Sequence, residues 1–179
     1  MRRRLALLVL VLGAPLVAAG CGGGGSSTGV FDVAGFGVTF EYPLKQFDIG
    51  FDLEFGSETG GNPAAQAGLV LDKDNAIILL RYDLNVSITK DNLSKFKGEI
   101  DAVVAKLAEK KVSGLEVEYG ELPGYEYAID LRRLASGQSR IAVLFDGEVE
   151  YFVNCQSTEA QRETLEDACR RALDTLARK

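Results

Sequence analysis

The chain changes its hydrophobic period three times, and those changes outline its elements. From Phe36 to Tyr42 apolar residues alternate with small or polar ones, so Phe36, Val38, Phe40 and Tyr42 share one face of a strand that Pro43 ends. Phe47, Ile49, Phe51, Leu53 and Phe55 repeat the same two-residue period, and Gly56 to Pro63 reads as a loop. Two apolar runs, Ala67–Leu71 and Ala76–Tyr82, flank Asp72-Lys73-Asp74-Asn75 and predict a hairpin. From Thr89 the period lengthens. Leu93, Phe96, Ile100, Val103, Val104 and Leu107 recur every three or four residues, which predicts an amphipathic helix capped by Thr89 or Asp91, with Lys110-Lys111 at its negative end. Gly114 closes that region.

Period two then returns. Val117 and Tyr119 oppose Glu116 and Glu118; Tyr125, Tyr127, Ile129 and Leu131 oppose Glu126, Asp130 and Arg132. Ser136-Gly137 marks a turn. Ile141–Phe145 and Val149–Val153 predict a hairpin around Asp146-Gly147, a pair suited to a type I′ turn. A last helix, capped by Ser157 or Thr158, buries Leu165, Ala168, Cys169, Ala172, Leu173 and Leu176. The connections are of hairpin length. The expected class is therefore α+β, a mainly antiparallel sheet sandwiched by a central and a C-terminal helix.

The N-terminus follows another logic. Arg2-Arg3-Arg4 precedes an apolar run from Leu5 to Val17, then Ala18-Ala19-Gly20-Cys21. The order of charge, apolar core and small residues is that of a secretory signal, and the block resembles a bacterial lipoprotein signal with its lipobox. The run is too short and too broken, by Gly13 and Pro15, to span a bilayer, which takes roughly 20 apolar residues. Cys21 is then the lipid acceptor and mature N-terminus. Two acyl chains on it suffice for stable anchoring in the bilayer. The alternative is an ordinary secretory signal cut near Ala19. Residues 22–29 hold five glycines, two serines and a threonine, a flexible tether. The division expected is residues 1–20 signal, 21–29 acylated cysteine and tether, and 30–179 one α+β domain.

Charge and composition narrow the function. Beyond the signal, 17 basic residues stand against 26 acidic ones. That balance argues against nucleic acid and against anionic lipid headgroups, which need basic patches. The chain has no histidine, so serine–histidine and cysteine–histidine catalysis and histidine-ligated zinc are ruled out. Asp72 and Asp74 lack the later glycine and glutamate of a calcium loop and read as a solvated turn. No metal and no cofactor are expected. Cys155 ends a strand pattern and Cys169 lies on the inner face of the last helix. In an oxidising compartment a disulfide between them is the expectation, and two buried free thiols the alternative.

The residues also suggest a family. Val38-Thr39-Phe40-Glu41-Tyr42-Pro43, the long central helix, and Glu150-Tyr151-Phe152-Val153-Asn154-Cys155 with the helix after it resemble the PsbP-like fold over residues 30–179. Chain order and lipobox look most like actinobacterial lipoproteins of the DcrB and LpqN type. The resemblance implies an antiparallel sheet between helices and a non-enzymatic role.

Three functions are in play. The first is a monomeric lipoprotein on the extracytoplasmic side of the cell membrane. It would bind an unidentified envelope protein through an acidic face of Glu116, Glu118, Glu126 and Asp130. The second is a carrier of a small or lipidic molecule in a pocket between sheet and helix, for which Phe36, Phe40, Tyr42, Phe47, Phe51, Tyr125 and Tyr127 are available; alternation favours a core role for them. The third, a carboxylate enzyme, is disfavoured because alternation puts those acids on the faces opposite the apolar residues.

Overall fold

The structure is a computed structural model that describes residues 28–51 and 61–179. The signal, Cys21, the tether up to residue 27, Leu53, Phe55 and most of the Gly56–Pro63 loop lie outside the described residues. Among the described residues nine strands and two α-helices run in the order β1 (Thr28–Phe31), β2 (Val38–Pro43), β3 (Asp48–Gly50), β4 (Ala65–Val70), β5 (Ala76–Ile88), α1 (Lys97–Val104), β6 (Leu115–Tyr119), β7 (Leu122–Asp130), β8 (Gln138–Ser157), α2 (Arg162–Asp174) and β9 (Ala177–Arg178). Strand β1 starts at Thr28, so the fold takes in two residues expected to belong to the tether.

The large sheet has the order β3-β4-β5-β8-β7-β6 and every pairing is antiparallel. The fold class is α+β, as the pattern predicts. Strand β8 would run roughly 65 Å if straight. It is not: the Ser139 hydroxyl hydrogen-bonds the Asn154 side chain, so the chain reverses between them. The first arm pairs with β7 over Gln138–Leu144, and the second pairs with β5 over Gly147–Gln156. Burial follows the same reversal. Ala142 and Leu144 share a core with Tyr151, Val153 and Cys155, whereas Ile141, Val143 and Phe145 share the other core with Phe152. The predicted hairpin is present. Its turn is not type I′, because Gly147 has φ 61° while Asp146 stays at negative φ. A left-handed Asp would cost more than a left-handed Gly.

Each face of the sheet has its own core. One holds Leu69, Ile77, Leu79, Leu144 and Val153 under α2 and a second, three-stranded sheet of order β1-β2-β9. Phe31 stacks on Phe40 with ring centroids 4.6 Å apart and meets Phe36 edge-on at 5.6 Å. The other core holds Leu80, Ile100, Val104, Tyr125, Tyr127, Ile141 and Phe152 under α1. Phe36, Phe40, Tyr42, Phe47, Tyr125 and Tyr127 are all buried core residues, as alternation predicts.

Three expectations change. The central helix is shorter than its stripe: a 3₁₀ turn at Leu93–Lys95 precedes an eight-residue α1. Neither Thr89 nor Asp91 caps it; the Asn92 side chain accepts from Thr89 N–H instead. Past Val104 the backbone leaves the helix to pair with the end of β7, through Glu109 N–H to Asp130 O and Arg132 N–H to Leu107 O. At α2, Thr158 precedes a 3₁₀ turn and makes no side-chain cap; its N–H and hydroxyl donate to Asn75 Oδ1 at 2.7 and 3.1 Å. Finally, β3 is an edge strand; Ile49 on it and Phe51 just past its end are exposed, so only Phe47 of that apolar set is shown packing inward.

Candidate functional site: a cleft under the central helix

The four predicted docking carboxylates do not form one face. Register pairs Leu115 with Glu126, Glu116 with Tyr125, and Glu118 with Pro123. Facing partners share a side of the sheet, so Glu116 and Glu118 stand on the α1 side with Tyr125. Glu126 and Asp130 stand on the α2 side. Alternation within each strand is right, but it carries no information on which sides of two strands coincide. Three of the four are also paired. Lys90 Nζ lies 2.6 Å from Glu118, Lys110 Nζ 3.0 Å from Asp130, and Arg140 2.8 Å from Glu126. Lys110, expected at a helix end, holds Asp130 below the ordinary aspartate range by hydrogen bonding and charge.

On the α2 side a polar cleft of about 380 Å³ opens between the sheet and α2. The Cys155–Cys169 disulfide lies in its wall, Cα atoms 5.9 Å apart, formed as the sequence predicts. Glu126 and Arg140 line it already paired. The Tyr119 hydroxyl donates to Glu126 at 2.6 Å, and Arg140 donates to both Glu126 and the Tyr119 oxygen. These side chains are committed to one another, although Arg140 Nε is buried without a hydrogen-bond partner.

The α1 side differs. Between the far end of β5, the β8 hairpin and α1 is a cleft of about 190 Å³. Its walls are Leu84, Val86, Ile88, Phe96, Ile100, Val103, Val143 and Phe145, with two carboxyls, Glu99 and Glu150. Glu99 is exposed on α1. Glu150 lies opposite Tyr82 of β5 and has no hydrogen-bond or ion-pair partner among the described residues. Burial in this hydrocarbon setting pushes its carboxyl up to about 7. A carboxyl poised near neutrality in a cleft is where binding chemistry is to be sought. The cleft does not use the aromatics expected to line a pocket; Phe96 and Phe145 do that instead.

Sequence reasoning missed Glu150. There Glu150 enters only as the first residue of the strand run Glu150–Cys155, with no role of its own. The run Tyr151-Phe152-Val153 held the missing signal. Consecutive apolar residues mean that both faces of the strand are covered, and Glu150 shares a face with buried Phe152.

The roof of the cleft is held by a second carboxylate. Asp101 on α1 accepts from Lys97 Nζ at 2.9 Å, Gly114 N–H at 3.0 Å and the Tyr127 hydroxyl at 2.8 Å. Lys97 is thereby turned toward Asp101 and over the Tyr125 ring, 5.2 Å from its centroid. It does not line the Glu150 cleft. Among the described residues no group of three or more His, Cys, Asp or Glu is arranged to hold a metal ion.

Solved structures share the overall fold. Cyanobacterial PsbP (CyanoP) of Synechocystis superposes with a TM-score of 0.53 at 11% identity, covering 90% of this chain and 99% of its own. The fold is PsbP-like. A protein of Bacteroides thetaiotaomicron gives 0.53 at 13% identity, over 84% of this chain and 48% of that one. LpqN of Mycobacterium tuberculosis, described as involved in cell envelope biogenesis, gives 0.49 at 11% identity, over 84% and 90%. At these identities the likeness concerns fold alone. No protein-family model and no curated protein matches the chain.

Proposed function

We propose that the chain is a lipid-anchored, extracytoplasmic binding module without catalytic chemistry, and that it holds a small ligand in the cleft between the sheet and α1. The observation that carries the reading is that cleft: eight apolar side chains around one half-buried carboxyl without a partner among the described residues. It supplies shape, hydrocarbon and a charge, but no hydroxyl, thiol or amine to attack a substrate. The anchor rests on Arg2-Arg3-Arg4, the apolar run and Cys21. A disulfide between Cys155 and Cys169 agrees with an oxidising compartment. The rival reading, docking of an envelope protein through the acidic set, loses its main support, since that set is divided between two faces and largely paired.

Native mass spectrometry of the chain released from membranes of its own host tests both halves. The expected species carries the mass of an acylated Cys21 N-terminus plus a small non-covalent adduct, and Cys21→Ser moves the protein out of the membrane fraction. Membrane retention of Cys21→Ser defeats the anchor. A bare polypeptide mass under gentle conditions, with the ligand-free cleft unable to take up any added amphiphile, defeats the carrier role.

A further inference from the structure

We infer that the occupant of the α1 cleft is a small amphipathic amine, a cationic nitrogen on a short hydrocarbon, held through Glu150. The inference rests on the cleft being a ligand site and adds the ligand's chemical class. Charge decides the class. The lining contains two carboxyls and no lysine or arginine. The groups around Glu150 come from each packed element. Strand β5 contributes Tyr82, Leu84, Val86 and Ile88; α1 contributes Ile100, Val103 and the exposed Glu99; the first arm of β8 contributes Val143 and Phe145. None of them is a cation. Lys97, the lysine on α1 itself, is committed to Asp101 and to Ser113 Oγ at 2.9 Å.

An anionic amphiphile such as a fatty acid would bring a third negative charge against two. A neutral one can donate a hydroxyl hydrogen bond but brings no countercharge to the Glu150 carboxylate. An ammonium group supplies both the countercharge and the hydrogen-bond donors that a buried carboxylate needs. Its hydrocarbon replaces water along the apolar walls. The volume bounds the size. About 190 Å³ is below the roughly 300–1,000 Å³ of sites for drug-sized ligands, so a chain of about six carbons is the right scale. The state of Glu150 agrees: a carboxyl raised to about 7 by burial alone is one that an arriving cation returns to its ionised form.

The test is an NMR titration of the acylated full chain in phosphatidylcholine nanodiscs at pH 8, read at the Ile100 and Val103 methyl groups. Hexylamine, hexanol and hexanoate are the probes, and empty nanodiscs the blank. Hexylamine is expected to bind at least tenfold more tightly than hexanol, and hexanoate least. Glu150→Gln is expected to bring the amine down to the affinity of the alcohol. Equal affinities in the unmodified chain, or an amine preference that survives Glu150→Gln, overturn the amine assignment and leave the cleft as a ligand site. Failure of all three probes to shift these methyls overturns the cleft reading and the amine with it.

Discussion

The Tyr127 hydroxyl donates to Asp101 Oδ1 at 2.8 Å, and this bond ties the middle of β7 to the helix that roofs the ligand cleft. Burial pushes the Asp101 carboxyl up, but Lys97, the Gly114 N–H and Tyr127 together outweigh it and hold it below the ordinary aspartate range. Burial and then Asp101 push the Tyr127 phenol well up, so it stays a donor at every physiological pH. Gly114 is required for the bond: a Cβ there would lie 2.5 Å from the Tyr127 ring. Tyr127→Phe should cost about 1.5–3 kcal/mol, the range for a hydrogen bond to a charged group. Urea denaturation at pH 7 measures it, and amide exchange should show faster opening in α1 than in α2. Equal exchange in the two helices would remove Tyr127 as the tie.

Glu150 predicts a pH dependence of the opposite sign. Its folded pKa, about 7, is above that of an unfolded glutamate. Its contribution is therefore fully present below the unfolded value and lost as pH rises through 7. Asp101, depressed in the fold, contributes above the unfolded aspartate value and is lost on acidification. Stability should thus be greatest between the two windows, at roughly pH 4, above the unfolded aspartate value and below the unfolded glutamate value, by this linkage. The Glu150 contribution is at most roughly 3 kcal/mol between pH 5 and 8. Glu150→Gln should raise the melting temperature at pH 8 and change it little at pH 5. A variant that shifts both by the same amount would show that Glu150 is not titrating in the fold.

How far the sequence can be read is clearest at two turns. Asp146-Gly147 has the composition of a type I′ turn and closes a real hairpin, yet only its glycine adopts positive φ. The turn between β6 and β7 has both central residues left-handed, Gly120 at φ 55° and Glu121 at φ 64°. That is the type I′ requirement, met by a pair that no composition rule selects. Tertiary contacts explain it. The Gly120 Cα side faces Leu176 O so closely that a Cβ would approach to 2.1 Å, and Arg178 donates to Glu121 O at 3.2 Å. The C-terminal strand thus locks a turn 57 residues away. Strand and helix faces were legible because period reports burial locally. Which strand faces coincide was not, because register is a long-range property, and this is why the four acids do not form the single face that alternation suggests; Glu150 is different, since the apolar run Tyr151-Phe152-Val153 beside it is a local signal. Glu121→Asn should relieve a left-handed glutamate and stabilise by about 0.5–1 kcal/mol. Thermal denaturation checks it, and a fall in melting temperature would mean that the Glu121 side chain matters beyond its φ.

The Cys155–Cys169 bridge joins the last arm of the sheet to α2 across a sequence separation of 14. A loop of that length is worth about 3 kcal/mol in the chain-entropy model. Cys155→Ala with Cys169→Ala should lower the melting temperature by roughly 6–12 °C for a domain of this size. Both sulfurs are buried, so the native protein should resist mild reductant until it unfolds. Calorimetry with and without reductant, and thiol counting in denaturant, check the two statements. Rapid thiol release from the folded chain would contradict the buried bridge.

Glu126 and Glu118 separate a structural carboxylate from a surface one. Glu126 holds the Arg140 guanidinium and the Tyr119 hydroxyl in one partly buried network. Glu118 meets only the flexible, exposed end of Lys90. Removing one partner of a buried charge leaves the other unsatisfied, whereas an exposed pair contributes little. Glu126→Gln should therefore destabilise by about 1–3 kcal/mol, the cost of an orphaned buried group. Glu118→Gln should leave denaturation curves superimposable on those of the unmodified chain. Restoring a complementary pair, with Arg140→Gln added to Glu126→Gln, should recover part of the loss, because two neutral amides do not strand a charge. Double-mutant-cycle denaturation reads the coupling directly. If the paired variant is no more stable than Glu126→Gln alone, the carboxylate does not act through Arg140. Its place in the α2-side cleft would then need another explanation, such as direct contact with a partner.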